Sequence, residues 1–475
     1  MVILYCDPYV SQVNQHYRED VILRVTKEPF EGVKAVLGRS VVPFANCSFT
    51  KLVIENAEAI NFEDISISFS SCYIEKLEIE NITSGNITVT FMRSVLSLAV
   101  MKSKELKSVS LSNNIILSGV FVSNVHRVYV KLAKANIHLD EFQNDFDFID
   151  FQLYLKQAYY IYNCEDIHYS TDWTKIEESI PLNFQLAIHY GGEVADKFTE
   201  VKDACLTSLT INGSSSGTLR MENITVGCWY IRNFSPKEDV SFFYVDVNSQ
   251  PGESSKLEIH HCNMDKVWFD NVRFDRFSII SPYQSKLSKT NFTGCTFPEE
   301  SRVYVPVENV HYPDKRTESY SKDQYELFLQ LKNAMESTGN AYEAYKFQVF
   351  SLQALQNIRG VSWQDRSVLA LNEFSNRHGL SVGRPLAFYI ILSIFLYILY
   401  LACLGRFYCG GKFDPLLVGH YFSFVDPTHR NDFLVDKKEL TGGSLVVDYA
   451  GKILLGYLIY QFIAAFRKYS KKTAS

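Results

Sequence analysis

The chain has 475 residues, 47% apolar and 21% charged, which excludes a disordered polypeptide and leaves room for two or three domains. Its ten cysteines run from Cys6 to Cys409 without a C-x-x-C pair, which excludes a disulfide framework or a zinc ribbon as the organising principle. Residues 385–475 carry ten Lys/Arg against six Asp/Glu, net +4, and the rest of the chain is net −10; such an acidic body excludes nucleic acid as its partner, which needs clustered Lys/Arg, and the basic end points to a membrane surface.

The start, MVILYCDPYVSQVNQHYRED, lacks the long apolar core and small-residue cleavage site of a secretory signal, so the body is expected in the cytosol. Residues 41–300 largely alternate apolar and polar side chains. A short phrase recurs: KLVIEN at Lys51–Asn56, KLEIEN at Lys76–Asn81, SVSLSN at Ser108–Asn113, TLRMEN at Thr218–Asn223 and KLEIHH at Lys256–His261. Each predicts a short strand with two inward apolar residues, closed in most copies by Asn, which tolerates the left-handed backbone of a corner. The first two copies stand 25 residues apart. Repeated strands at that spacing predict a solenoid, most simply an irregular right-handed parallel β-helix over residues 1–310. An antiparallel sandwich is the alternative. Residues 169–204 break the pattern and are expected to form an insertion or side flap. Seven N-x-S/T sequons, at Asn46, Asn81, Asn86, Asn212, Asn223, Asn233 and Asn291, are read as turn chemistry, not glycan sites.

Residues 311–384 change texture into a helical neck. Ser321 and Gln324 suit a capping box, Gly339–Asn340 breaks the helix, and a second helix is expected from near Ala341. A third, about Ser362–Arg377, leads to the membrane segment. The helical hairpin is expected to cap the open solenoid end, with peptide binding as its alternative role.

Residues 385–475 predict two spans. Pro385–Leu404 is twenty residues without a charge, about 30 Å of helix, the thickness of a bilayer core. Leu445–Phe466 has the length but contains Asp448 and Lys452, four apart on one helical face. The favoured expectation puts that pair in the headgroup zone, with Lys452 snorkelling; the alternative puts it inside the bilayer, where ionisable groups are usually functional. Arg384 before the first span, and Arg467, Lys468, Lys471 and Lys472 after the second, predict that both termini face the cytoplasm.

The segments QYELFLQLKNAMESTGNAYEAYKFQVFSLQAL, NRHGLSVGRPLAFYI, FVDPTH at Phe424–His429 and GYLIYQFIAAFRKYSKK at Gly456–Lys472 resemble the C-terminal part of bacterial pentapeptide-repeat membrane proteins with a two-helix, ion-channel-like segment. Upstream, ANCSF at Ala45–Phe49 and TNFTGCTF at Thr290–Phe297 resemble single pentapeptide coils. The resemblance implies a bacterial inner-membrane protein with a cytosolic solenoid, and carries no residue roles.

No phosphate loop, dinucleotide fingerprint, H-E-x-x-H or G-x-S-x-G motif is present. His260–His261–Cys262 on a strand would point to alternate faces, against a shared metal. Asp145, Asp147 and Asp150 suit a solvated strand face better than a polysaccharide-cleaving site. No catalytic, cofactor or metal site is expected. The candidate hairpin or pore residues are Asp448, Lys452, Gln461, Asp426 and His429. His420, Asp426, His429, Arg430 and Asp432 crowd the loop between the spans, which is expected to be an external turn, with a re-entrant vestibule as the alternative. The expected partners are the lipid bilayer, further copies of the chain and an unidentified cytosolic protein. The leading expectation is a membrane protein whose solenoid senses or scaffolds a partner and whose hairpin oligomerises, extended to an ion-channel-like, permeabilising stress or antiphage effector. A passive membrane-tethered scaffold is the alternative, and a carbohydrate-active β-helix enzyme a remote third.

Overall fold

The computed structural model describes residues 1–5, 11–25, 40–56, 65–83, 87–112, 114–133, 156–172, 183–191, 198–247, 254–308, 318–406, 415–431 and 433–470. Two compact units divide it: residues 1–314 with 333–339, and residues 315–332 with 340–475.

The first unit is a parallel β-solenoid of about nine turns. Most strands pair in parallel with the strand two further along the chain, so that a coil carries two strands, and equivalent positions of successive coils lie on top of one another; the long strand Thr218–Arg232 serves both sides of a coil and pairs with its immediate neighbours as well. The repeat seen in the sequence is the ladder register itself: Lys51 pairs with Lys76 and Leu52 with Leu77. The two inward residues of all five phrases are buried, at Leu52/Ile54, Leu77/Ile79, Val109/Leu111, Leu219/Met221 and Leu257/Ile259. This in-register stacking aligns aromatic rings into columns. Phe69 stacks on Phe44 and on Phe91, with centroids 4.9 Å apart in both cases. Phe269 does the same with Phe242 at 5.2 Å and Phe292 at 5.4 Å. Rings stacked with offset planes add to the burial of their apolar area.

The corners follow from residues that accept a positive φ. Asn14, Asn46, Ser71 and Arg93 adopt it in successive coils, and each donates its backbone N–H to the coil above through Ala45 O, Ser70 O, Met92 O and Ser112 O at 3.0 Å. Of the sequon asparagines, Asn46, Asn81, Asn223 and Asn233 are left-handed corners, as turn chemistry requires. One or two residues past the first corner lies a buried column of small polar groups. Cys72 Sγ donates to Phe44 O, Ser94 Oγ to Phe69 O and Asn114 Nδ2 to Phe91 O. These buried polar side chains find their partners on strand carbonyls of a preceding coil.

The expected flap at residues 169–204 is not seen in its described parts. Asn183–Tyr190 and Phe198–Lys202 are ordinary ladder strands, pairing through Tyr159↔Leu186, Leu186↔Leu209 and Val201↔Met221. Buried Phe184, Leu186, Ile188 and Val201 face inward; the alternation was obscured by the intervening segments, which lie outside the described residues. Asp145, Asp147 and Asp150 also lie outside them.

The second unit is helical. Helix α1 spans Glu318–Ser337, α2 Ala341–Gln356, α3 Trp363–Asn376, α4 Gly383–Cys403, α5 Leu416–Val425 and α6 Gly442–Ser470. Gly339, at φ 75°, ends α1, and Asn340 caps α2 by accepting from Glu343 N. Phe328 of α1 packs on Phe350 of α2 at 5.3 Å. Ser321 is not a cap: α1 begins upstream of it, and Gln324 donates instead to Tyr320 OH. Ser362 caps α3 through Asp365 N, and Arg377–His378–Gly379, all at positive φ, turn the chain into α4.

Candidate functional site

Helices α4 and α6 are long and apolar enough to cross a membrane. They pack antiparallel. At one end Gly443 lies beside Cys403; in the middle Gly451 admits Leu396 of α4 and Phe424 of α5, which a Cβ there would meet at 3.7 and 3.5 Å. The chain therefore enters α4 and leaves α6 at the same end of the pair.

The connecting segment does not project away as an external turn. It is closed at its base by Thr441 Oγ1 donating to Cys403 O at 3.0 Å and by the Arg406–Glu439 ion pair at 2.7 Å. Beyond that base it folds back along the flank of α4. One stripe of α4, at spacing i, i+4, i+8 and i+11, consists of Tyr389, Ser393, Tyr397 and Tyr400. Tyr389 OH donates to Val425 O at 2.9 Å and Tyr397 OH to Leu417 O at 2.7 Å, and Ser393 Oγ lies 2.7 Å from Tyr421 OH. Tyr400 packs on Phe424 and Phe433, each at 5.5 Å. Hydroxyls on an apolar helix thus bind backbone carbonyls of α5, of which Val425 O, in the last turn, has no partner within its own helix. α5 is as apolar as a span, and α4 offers it these donors.

The turn after α5 brings four of the candidate residues together or within reach. Asp426 accepts from Thr428 N and Thr428 Oγ1 and stays exposed. This fixes the turn that aims His429 inward. His429 Nε2 lies 2.7 Å from Asp448 Oδ1, and Lys452 Nζ lies 3.1 Å from Asp448 Oδ2. Lys452 Nζ also donates to Asn431 Oδ1 at 2.7 Å, and Asn431 Nδ2 to Tyr449 OH at 3.0 Å. The side chains are 1% (Asp448), 5% (His429) and 20% (Lys452) exposed. The expectation of a water-screened Asp448–Lys452 pair therefore does not hold for Asp448, because His429 and the α5 turn cover it.

His429 Nδ1 faces the carbonyl oxygen of Asp426, so the ring bridges the α5 turn and α6. The cluster joins an imidazole, a carboxyl and an amine within a largely apolar hairpin. Among the described residues the buried Tyr400 OH has no hydrogen-bond partner.

Gln461 belongs elsewhere. It is buried, accepts from Asn376 Nδ2 and donates to Asn372 Oδ1 at 3.0 Å. Tyr457 OH donates to the same Asn372 oxygen at 3.4 Å. This is a polar clasp between α3 and α6. Arg384 is exposed in the first turn of α4. Arg467 and Lys468 lie in the last turn of α6; Lys471, Lys472 and Asp432 lie outside the described residues. His260 and Cys262 do not converge: His260 Nε2 meets Ser281 Oγ at 3.1 Å, and Cys262 Sγ donates to Ile231 O. Sequence reasoning missed Asn431, Asn372, Asn376 and the hydroxyl stripe of α4. The stripe was the readable signal, four hydroxyl-bearing residues on one face of an otherwise apolar span.

Compared with known proteins, the chain matches no family model, no curated protein and no solved structure.

Proposed function

We propose that this protein is an integral membrane protein in which α4 and α6 cross the bilayer, α5 re-enters it, and the solenoid recognises a cytosolic protein. In this reading several hairpins assemble to pass ions or protons when the solenoid is engaged, as in a stress or antiphage effector. The observation that carries it is the His429–Asp448–Lys452 cluster. A helix that only anchors has no need of a buried carboxylate, imidazole and ammonium, and ionisable groups at membrane depth are expensive to keep there. The outer faces support the spanning itself: Ile391, Phe395, Ile453 and Tyr460 are large, apolar or amphipathic, and exposed, where a soluble core helix would hide them.

One hairpin cannot enclose an aqueous path, so conduction requires several copies. The basic flanks favour cytoplasmic termini, and the resemblance to pentapeptide-repeat membrane proteins favours a bacterial inner membrane. The solenoid winds right-handed in this reading, as parallel crossovers nearly always do. The second reading, a passive membrane-tethered scaffold, is favoured by one observation: the charges of the cluster are paired within a single chain. Induced expression with a membrane-potential dye separates the two. An effector collapses the potential and loses that ability in Asp448→Asn at equal membrane abundance; a scaffold leaves the potential intact in both.

A further inference from the structure

Helix α3 stands out because it leaves its apolar side uncovered. Trp363, Ser367, Ala370 and Phe374 follow one another at spacings of four, three and four, which makes a single face, with Leu371 beside it. All are exposed, Trp363 at 75%, Leu371 at 54% and Phe374 at 65%. Val368, at 56%, is exposed as well. The other sides of the C-terminal half of α3 are occupied. Asn372, Ser375 and Asn376 meet Tyr457 and Gln461 of α6, and Glu373 accepts from Gln353 of α2.

Two observations say what covers the open face. The first is continuity with the spans. Phe374 packs on Phe388 of α4 at 4.7 Å, and from there the exposed apolar surface continues through Ile390, Ile391, Ile394 and Phe395. The clasp to Gln461 lies in the last turns of the apolar part of α6, so the C-terminal end of α3 sits at the depth where a span ends. The second is charge. Arg359, Arg366, Arg377 and Arg384 are exposed along and beside α3, against Asp365 and Glu373. Apolar face, tryptophan and arginines at a span terminus are the features of a helix lying in the plane of the interface over anionic headgroups.

We propose that α3 is an interfacial membrane helix, with Trp363, Leu371 and Phe374 inserted at the headgroup–acyl boundary and the arginines on lipid phosphates, and that the hairpin is therefore held to the bilayer by a further element that lies in the interface. This rests on the spanning reading of α4 and α6, which the test probes separately. The full chain has four tryptophans, and none lies in α4, α5 or α6. Trp363 is thus the reporter for the membrane unit. The experiment reconstitutes the full chain into phosphatidylcholine–phosphatidylglycerol vesicles and measures quenching by brominated phosphatidylcholine and by aqueous iodide. Trp363→Phe gives the background of the remaining tryptophans. Phe395→Trp in that background reports on the lipid-facing side of α4. The expected result is loss of most of the Trp363 contribution with brominated lipid, little loss with iodide, and a weaker lipid effect when phosphatidylglycerol is omitted. Phe395→Trp quenched by lipid while Trp363 is quenched only by iodide overturns this proposal and leaves the spans standing. Trp363 shielded from both quenchers means that protein covers the face, and overturns it equally. If neither tryptophan is reached by brominated lipid, the spanning reading falls and this proposal falls with it.

Discussion

Replacing Asp448 by Asn keeps the shape of the buried cluster and removes its negative charge. In the wild type that carboxylate is 1% exposed and answers both His429 at 2.7 Å and Lys452 at 3.1 Å. Breaking a buried ion pair by removing one partner costs about 3–5 kcal/mol. Two features moderate the loss. His429 keeps its contact with Asp426 O, and Lys452, partly exposed, keeps Asn431 Oδ1 at 2.7 Å. The expected loss is then about 2–3 kcal/mol. Removing both charges, in Asp448→Leu/Lys452→Leu, is expected to recover much of it, since neither group is left buried alone. The assay is reversible unfolding of the detergent-solubilised chain in mixed micelles of increasing SDS fraction, followed by circular dichroism. A cycle with His429→Gln should give a coupling of at least about 1 kcal/mol, because the two side chains are in direct contact. An Asp448→Asn variant within about 0.5 kcal/mol of the wild type, with no coupling to His429, would refute the buried-cluster reasoning and return the pair to a solvated interface.

In the solenoid, Leu77→Asp and Ile79→Asp each put an unpaired carboxylate at a position that is 0% exposed and should cost upwards of about 4 kcal/mol. Glu78→Lys, on the outer face between Lys51 at 3.2 Å and Lys76 at 2.7 Å, should cost only about 1 kcal/mol; limited proteolysis ranking Glu78→Lys as the most damaging would reverse the face assignment. Gly451→Ala should be tolerated, because its Cβ makes ordinary contacts with Phe424 and Leu396, whereas Gly451→Leu should separate α4, α5 and α6 and abolish a disulfide engineered between neighbouring positions of α4 and α6. Burial holds His189, His260 and His378 below the usual imidazole range. The unfolded chain therefore binds protons that the folded chain refuses, and stability should be full above about pH 6.5 and fall as the pH drops below it; a thermal-unfolding profile flat from about pH 5 to pH 8, or unchanged in slope by the three Gln replacements, would contradict this.

Much of the architecture is written locally. Alternation of period two, two inward apolar residues per phrase and Asn at the corners are properties of a few neighbouring residues, and the 25-residue step from Lys51 to Lys76 reappears as their pairing in the ladder. The break at Gly339–Asn340 and the start of α3 at Ser362 are equally local, since caps and positive-φ turns depend on the residues that make them. The long apolar runs of α4 and α6 needed only length and composition. Tertiary structure decided the rest. Nothing within Leu416–Val425 says that this largely apolar helix turns back along α4; the hydroxyl stripe at Tyr389, Ser393 and Tyr397 does, and it lies 20 to 36 residues away. Asp448 and Lys452 declare themselves as an i, i+4 pair, but the burial of Asp448 comes from His429, which a turn on another element delivers. Gln461 is a candidate hairpin or pore residue by sequence, and its partners in the fold are Asn372 and Asn376 of α3. Short-range backbone preferences fix elements and corners; the placement of buried polar groups depends on which distant donor or acceptor completes them, and only the assembled fold chooses that partner.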